Sequence, residues 1–173
     1  LNLAPTSSTT AMLAMGDALA VVVAERKRFR ERDFALLHPG GQLGKRLLLR
    51  VSDLMRTKAA HPIVRDTSRV RDVLLAITKA RAGCASVVDG RGRLVGIFTD
   101  GDLRRHLDTT PDLAHRRVGE VMTRHPKTIA ADRLAAEALR LLREYKIDEL
   151  VVVDAGRRPA GLLDVQDLLR AGF

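Results

Sequence analysis

Gly96-Ile97-Phe98-Thr99-Asp100-Gly101-Asp102-Leu103 returns later in the chain as Gly161-Leu162-Leu163-Asp164-Val165-Gln166-Asp167-Leu168, at an offset of 65 residues. Upstream of these, Val51-Ser52-Asp53-Leu54-Met55 returns as Val118-Gly119-Glu120-Val121-Met122, at an offset of 67. A period of this size is a whole supersecondary unit, and such a unit buries its apolar face against its copy. The repeat therefore predicts a two-fold module with a cleft between its halves, a fitting place for a small ligand.

Between these landmarks each copy reads strand, helix, strand, strand, helix. In the first copy, Pro62-Ile63-Val64 is extended, and Ser68 is placed to cap a helix. Val70, Val73, Leu74 and Ile77 then follow at i, i+3, i+4, i+7 spacing. Ala85-Ser86-Val87-Val88 reads as a buried strand, turning at Asp89-Gly90-Arg91-Gly92 into the strand Leu94-Val95-Gly96-Ile97-Phe98 and a helix from about Asp100. The second copy has Lys127-Thr128-Ile129 and a helix carrying Leu134, Ala138, Leu141 and Leu142. The strand Leu150-Val151-Val152-Val153 follows, then the turn Asp154-Ala155-Gly156, the strand Ala160-Gly161-Leu162-Leu163 and a last helix over 165–170. Residues 107–117, with Pro111, form the linker. The steps His61-Pro62 and His125-Pro126 look like matching repeat positions with a structural role.

Residues 1–48 have a different character. Thr6-Ser7-Ser8-Thr9-Thr10 offers capping hydroxyls ahead of residues 11–23, which are apolar on nearly every side. A helix of that kind is expected inside a core. A charged turn, a short helical stretch over 34–37 and the glycine-rich His38-Pro39-Gly40-Gly41-Gln42-Leu43-Gly44 follow.

Composition narrows the function classes. The 173 residues are 46% hydrophobic, enough for one or two small cores. No uninterrupted apolar run reaches the roughly 20 residues that span a bilayer, which predicts no membrane partner. The lone Cys84 excludes an intrachain disulfide and fits a reducing, cytoplasmic compartment. Because the chain starts at Leu1 with no basic-then-apolar leader, it reads as a piece of something longer. Thirty Lys and Arg against 21 Asp and Glu give a net charge of +9. The cations are interleaved with acids, as in residues 25–33, and aromatics make up 3%. That favours a solvated surface over a nucleic-acid platform. The five histidines (His38, His61, His106, His115 and His125) show no ligand spacing with one another or with Cys84, so neither a metal nor a cofactor is expected.

Two copies that each end in Gly-hydrophobic-hydrophobic-x-x-x-Asp-Leu resemble a tandem CBS-domain pair, a pseudo-two-fold Bateman module. The resemblance covers residues 51–171, as repeats 51–108 and 118–171. The front piece, with residues 3–10, Met15-Gly16-Asp17-Ala18-Leu19-Ala20 and His38-Pro39-Gly40-Gly41, resembles the tail of a sugar isomerase (SIS) domain. In this order the two resemble the arabinose 5-phosphate isomerase family of Gram-negative bacteria. The fold class expected is α/β (α+β), a CBS pair preceded over 1–48 by an SIS remnant.

The resemblance implies more. The parent interconverts D-ribulose 5-phosphate and D-arabinose 5-phosphate for the Kdo sugar of lipopolysaccharide, as a tetrameric homo-oligomer. Its CBS pair senses a nucleotide or a CMP-Kdo-like effector. His38 inherits a catalytic role, consistent with a group titrating near neutrality for ring opening and enediol proton transfer. Thr99 and Asp102 inherit nucleotide binding: a helix N-terminus suits phosphate, and a carboxylate can accept ribose hydroxyls. Simple helix capping is the alternative reading of both. Asp164 and Asp167 are their counterparts, but a carboxylate where the first copy has Thr99 would repel phosphate, so the second site reads as degenerate or tuned to a sugar. Thr6, Ser7 and Ser8, at the start of the apolar helix, are candidates for the sugar phosphate. The family's base, a glutamate, falls ahead of Leu1, so the chain alone is expected to be inactive. A free-standing CBS nucleotide sensor is the rival reading, with nucleic-acid binding as a third.

Overall fold

Val70, Val73 and Ile77 become the buried stripe of the helix Val70–Ala80, and Ala135, Ala138 and Leu142 that of Ala135–Tyr145. These two helices anchor the two repeats. The computed structural model describes residues 4–37 and 47–173. The chain divides into two units, Leu1–Leu48 and Leu49–Phe173.

In the first unit, α1 spans Thr6–Arg26 and α2 spans Glu31–Leu37. In the second, the order is α3 (Val51–Leu54), β1 (Ile63–Arg65), α4 (Val70–Ala80), β2 (Cys84–Val88), β3 (Leu94–Thr99) and α5 (Asp100–Leu107). The second copy follows as α6 (Val118–Val121), β4 (Thr123–Arg124), β5 (Thr128–Ala130), α7 (Ala135–Tyr145), β6 (Glu149–Val153), β7 (Pro159–Asp164) and α8 (Val165–Arg170). The strand–helix–strand–strand–helix order read from the sequence is present in both copies.

The sheets repeat one another in register. β1 runs parallel to β2, and β5 parallel to β6, each joined by its crossover helix. The hairpins β2–β3 and β6–β7 pair Cys84 with Thr99 and Glu149 with Asp164, and each shifts register at the same place, Val87/Val88 and Val152/Val153.

Each leading segment completes the other copy. β4, which leads into the second copy, is the outer strand of the first sheet, pairing Thr123 with Ile97 and Arg124 with Gly96. Arg56, which leads into the first copy, exchanges backbone hydrogen bonds of 2.7 and 2.9 Å with Leu162 of the second. Val51 accordingly packs with Leu150 and Leu163, while Val118 packs with Val87 and Phe98. A third cluster of Cys84, Leu94, Ile97, Val151 and Leu162 joins the two sheets. The halves thus face each other across an apolar seam, as the period implies.

Some local expectations need correction. Arg69, not Ser68, is the N-cap of α4, and it makes no side-chain cap. α1 begins at Thr6 after Pro5, so its hydroxyls lie inside the first turns and bond backward to carbonyls. Thr9 Oγ1 donates to Pro5 O (2.7 Å) and Thr10 Oγ1 to Thr6 O (2.9 Å). The two His-Pro steps are not equivalent. Ile63 stands opposite Ser86 and Thr128 opposite Val151, which sets His61 against Pro126 rather than His125. His61 is buried and His125 exposed.

α1, expected within a core, buries none of its residues among those described, and Met12 and Leu13 are 66% and 68% exposed. Its 21 residues are also long and apolar enough to cross a membrane, by length and composition. An unbroken-run criterion misses this helix, because its hydroxyl residues, Gly16 and the single Asp17 interrupt the run without lowering its mean hydropathy enough.

Candidate functional site

Three interruptions of regular structure meet at one place in the second unit: the β3–α5 junction, the turn after α4, and the segment from β4 to β5 with the end of α7. Between them lies a cleft of about 530 Å³. The first repeat contributes Gly83, Ile97, Thr99, Asp100, Gly101, Arg104 and Arg105 to its lining. The second contributes Thr123, His125, Pro126, Lys127 and residues 145–149.

Thr99 is extended, so α5 starts immediately after it with a reciprocal capping box. The Thr99 N–H and Oγ1–H both donate to Asp102 Oδ2 at 2.9 Å, and the Asp102 N–H donates to Thr99 Oγ1 at 3.3 Å. The other carboxylate oxygen, Asp102 Oδ1, accepts from Arg105 Nη2 and from Thr123 Oγ1, each at 2.7 Å. Asp102 is 1% exposed. Thr99 therefore reaches the cleft wall, while Asp102 lies beneath it with both oxygens engaged, positioning Thr99, Arg105 and Thr123.

The second junction is built alike but filled differently. Asp164 caps α8, accepting from the Gln166 N–H at 2.7 Å, and Asp167 Oδ2 accepts the Asp164 N–H at 3.3 Å. Arg56 closes over both acids. Its Nε donates to Asp167 Oδ2 at 2.8 Å and its Nη2 to Asp167 Oδ1 at 3.1 Å, with Nη2 3.4 Å from Asp164 Oδ2. The bond to Asp167 raises the Arg56 pKa, so the guanidinium stays charged.

The open cleft is bipolar. Arg104, Lys127 and Lys146 supply positive charge, with Lys127 Nζ 3.9 Å from the centre of the Tyr145 ring. Asp100, Asp148 and Glu149 supply carboxylates. Glu149 is half-buried, and its pKa is pushed up to about 7, first by burial and then by Asp164, Asp148 and Asp100, against the opposing pull of Arg56. Such a lining can bind phosphate at the cations, hydroxyl or amino donors at the carboxylates, and a ring against Tyr145. Of the sequence-predicted residues, Thr99 lines this cleft and Asp102 supports it, while Asp164 and Asp167 hold Arg56. Thr6, Ser7 and Ser8 are exposed in the other unit, and His38 lies outside the described residues. Arg56, Thr123, Lys127, Tyr145, Lys146 and Glu149 went unread. The 67-residue offset that pairs Arg56 with Thr123 was the available signal.

The CBS domain model matches residues 51–109 and 118–173. The chain belongs to the CBS domain family. Solved CBS pairs share its fold. The pair of protein MJ0100, in complex with 5′-methylthioadenosine and S-adenosyl-L-methionine, superposes with a TM-score of 0.63 at 24% identity, covering 70% of this chain and 93% of that one. CBSX2 of Arabidopsis thaliana in complex with AMP gives a TM-score of 0.60 at 28% identity, covering 71% and 95%. Among curated proteins, arabinose 5-phosphate isomerase KdsD of Pseudomonas aeruginosa is 51% identical over 99% of this chain and 53% of its own length. Its counterparts from Yersinia pestis and Escherichia coli K12 are each 46% identical, over 99% of this chain and 52% of theirs. The chain spans about half the length of the curated relatives it matches.

Proposed function

We propose that the CBS pair is the ligand-sensing regulatory half of an arabinose 5-phosphate isomerase, and that its cleft takes a nucleotide or nucleotide-sugar such as CMP-Kdo. The observation that carries this reading is the bipolar 530 Å³ cleft lined by both repeats. Phosphate falls to Arg104, Lys127 and Lys146, and ribose or base donors to Glu149 and Asp100. Thr99 Oγ1, whose proton goes to Asp102, is left to accept from a sugar hydroxyl at the α5 N-terminus. Two further facts support it: CBSX2 carries AMP in its complex, and the isomerase relatives align over α1 as well as over the pair.

In an intact protein of the relatives' length, α1 is a helix of the SIS domain, its apolar sides covered by that domain, and His38 with Thr6, Ser7 and Ser8 belongs to the sugar-phosphate site. That protein is a cytoplasmic homo-oligomer converting D-ribulose 5-phosphate to D-arabinose 5-phosphate for Kdo and lipopolysaccharide synthesis. The effector acts on the isomerase by binding its two states unequally.

Calorimetric titration with AMP, ATP, S-adenosylmethionine and CMP-Kdo tests the reading. A saturable heat with at least one of them is expected, weakened about tenfold or more by Lys127→Ala with Arg104→Ala. No binding of any at millimolar concentration overturns it. The 173-residue chain is expected to show no conversion of arabinose 5-phosphate, and measurable turnover refutes the division of labour.

A further inference from the structure

We infer that Arg56 is a built-in occupant of the second of two equivalent clefts, so that each chain takes a single ligand, at the Thr99 junction. This rests on the ligand-binding reading above for the ligand, and on the geometry of the second junction for the occupant.

The symmetry of the pair locates the second cleft. The hairpin registers set Asp164 where the first copy has Thr99, and Asp167 where it has Asp102. The leading segments set Arg56 where the other has Thr123, each adding itself to the partner repeat's last strand. Arg81 corresponds to Lys146, since both are left-handed residues (φ 51°) that end the crossover helices α4 and α7.

At the first junction Thr99 and Lys146 stand on walls with open space between them. Thr123 is too short to fill it and bonds Asp102 instead. At the second junction Arg56 reaches from one wall to the other. It grips Asp164 and Asp167 on the strand–helix side, and its Nη1 donates to the Arg81 carbonyl at 3.2 Å on the helix-end side. Its side chain is only 17% exposed. The two departures from the first copy complement each other in charge: a carboxylate replaces the Thr99 hydroxyl, and a guanidinium replaces the Thr123 hydroxyl. A planar fork held by two carboxylates and a backbone carbonyl fills the place of a phosphorylated ligand and needs none.

The double variant Arg56→Thr with Asp164→Thr rebuilds the first junction's Thr–Asp–Thr arrangement at the second. Titrated with AMP, the unaltered chain is expected to bind one equivalent and the double variant two. One equivalent in a folded double variant, or two in the unaltered chain, overturns the inference. If the unaltered chain binds no AMP, that result counts against the ligand reading, and Arg56 is then judged by a readout that needs no nucleotide. The same readout decides if the double variant does not fold. Arg56→Ala leaves a guanidinium-shaped space between Asp164 and Asp167. Millimolar guanidinium chloride should raise its melting temperature saturably above matched sodium chloride, with no such rise for the unaltered chain. Absence of that rise overturns the occupant.

Discussion

Glu149 shows how far one side chain's chemistry departs from what its letter suggests. Its folded pKa of about 7 stands above the ordinary glutamate value of 4.5 because burial and three neighbouring aspartates disfavour its charge. Between these values the folded state holds more protons than the unfolded one, so this group's contribution is complete below about pH 4.5 and is lost as pH rises through 7. Glu149→Gln should match the unaltered chain at about pH 4 and exceed it at about pH 8 by about 1 kcal/mol, after discounting for solvent access. That corresponds to a rise of roughly 3–6 °C. Parallel melting-temperature profiles for the two proteins would sink the assignment. His61 tilts stability the other way. Buried beside Ser86, with Nε2 2.8 Å from Oγ, its pKa is lowered by burial to about 4, so its contribution holds above pH 6.5 and is lost as pH falls toward 4. The Thr99–Asp102 pairing was legible in sequence because a capping box is local, three residues apart. Glu149 was not: its environment is assembled from Asp100, Asp148, Asp164 and Arg56, which lie on both repeats.

At the scale of elements, two glycines carry the crossing of the copies. Met122 fills the space a side chain would take at Gly96, its Cγ 2.9 Å from where a Cβ would sit, and Met55 does the same at Gly161, with Cγ at 3.0 Å. Gly161 is the less yielding of the two, although its contacts are slightly longer, since the Arg56 carbonyl, a backbone atom, lies 3.2 Å from the same position. A methyl group at Gly96 can be accommodated by a shift of the methionine, whereas one at Gly161 also presses on the bridge between Arg56 and Leu162. Overpacking of this kind costs about 1–3 kcal/mol. Gly96→Ala should fall at the low end and Gly161→Ala at the high end in urea unfolding, with equal slopes. The reverse order would contradict the crossing geometry. The repeat of Gly-hydrophobic-hydrophobic was plain in sequence, and so were α4 and α7, whose buried stripes follow helical spacing. The reason for the glycines was hidden, because the methionines that require them precede the opposite copy.

For the whole molecule, the period announced two copies and a cleft, but a period alone leaves open which copy a leading segment completes. Val51 and Val118 show the answer, each buried in the other repeat's core. The consequence is a pair that cannot separate by simple opening at the linker, because each half holds part of its partner. Cys84 reports on that separation. It is fully buried in the seam that joins the two sheets, and burial pushes its thiol well above the usual range. A thiol reagent therefore reaches it only when the seam opens, and the labelling rate follows the population of the open form. A ligand in the Thr99 cleft touches both repeats, so it binds the closed pair and not the opened one. At a hundredfold excess over Kd it adds about 2.7 kcal/mol to closure, and labelling of Cys84 should slow by about 100-fold. Should a ligand that binds by calorimetry leave this rate unchanged, the cleft would not bridge the halves, and the coupling of effector to fold would have to run through a single repeat.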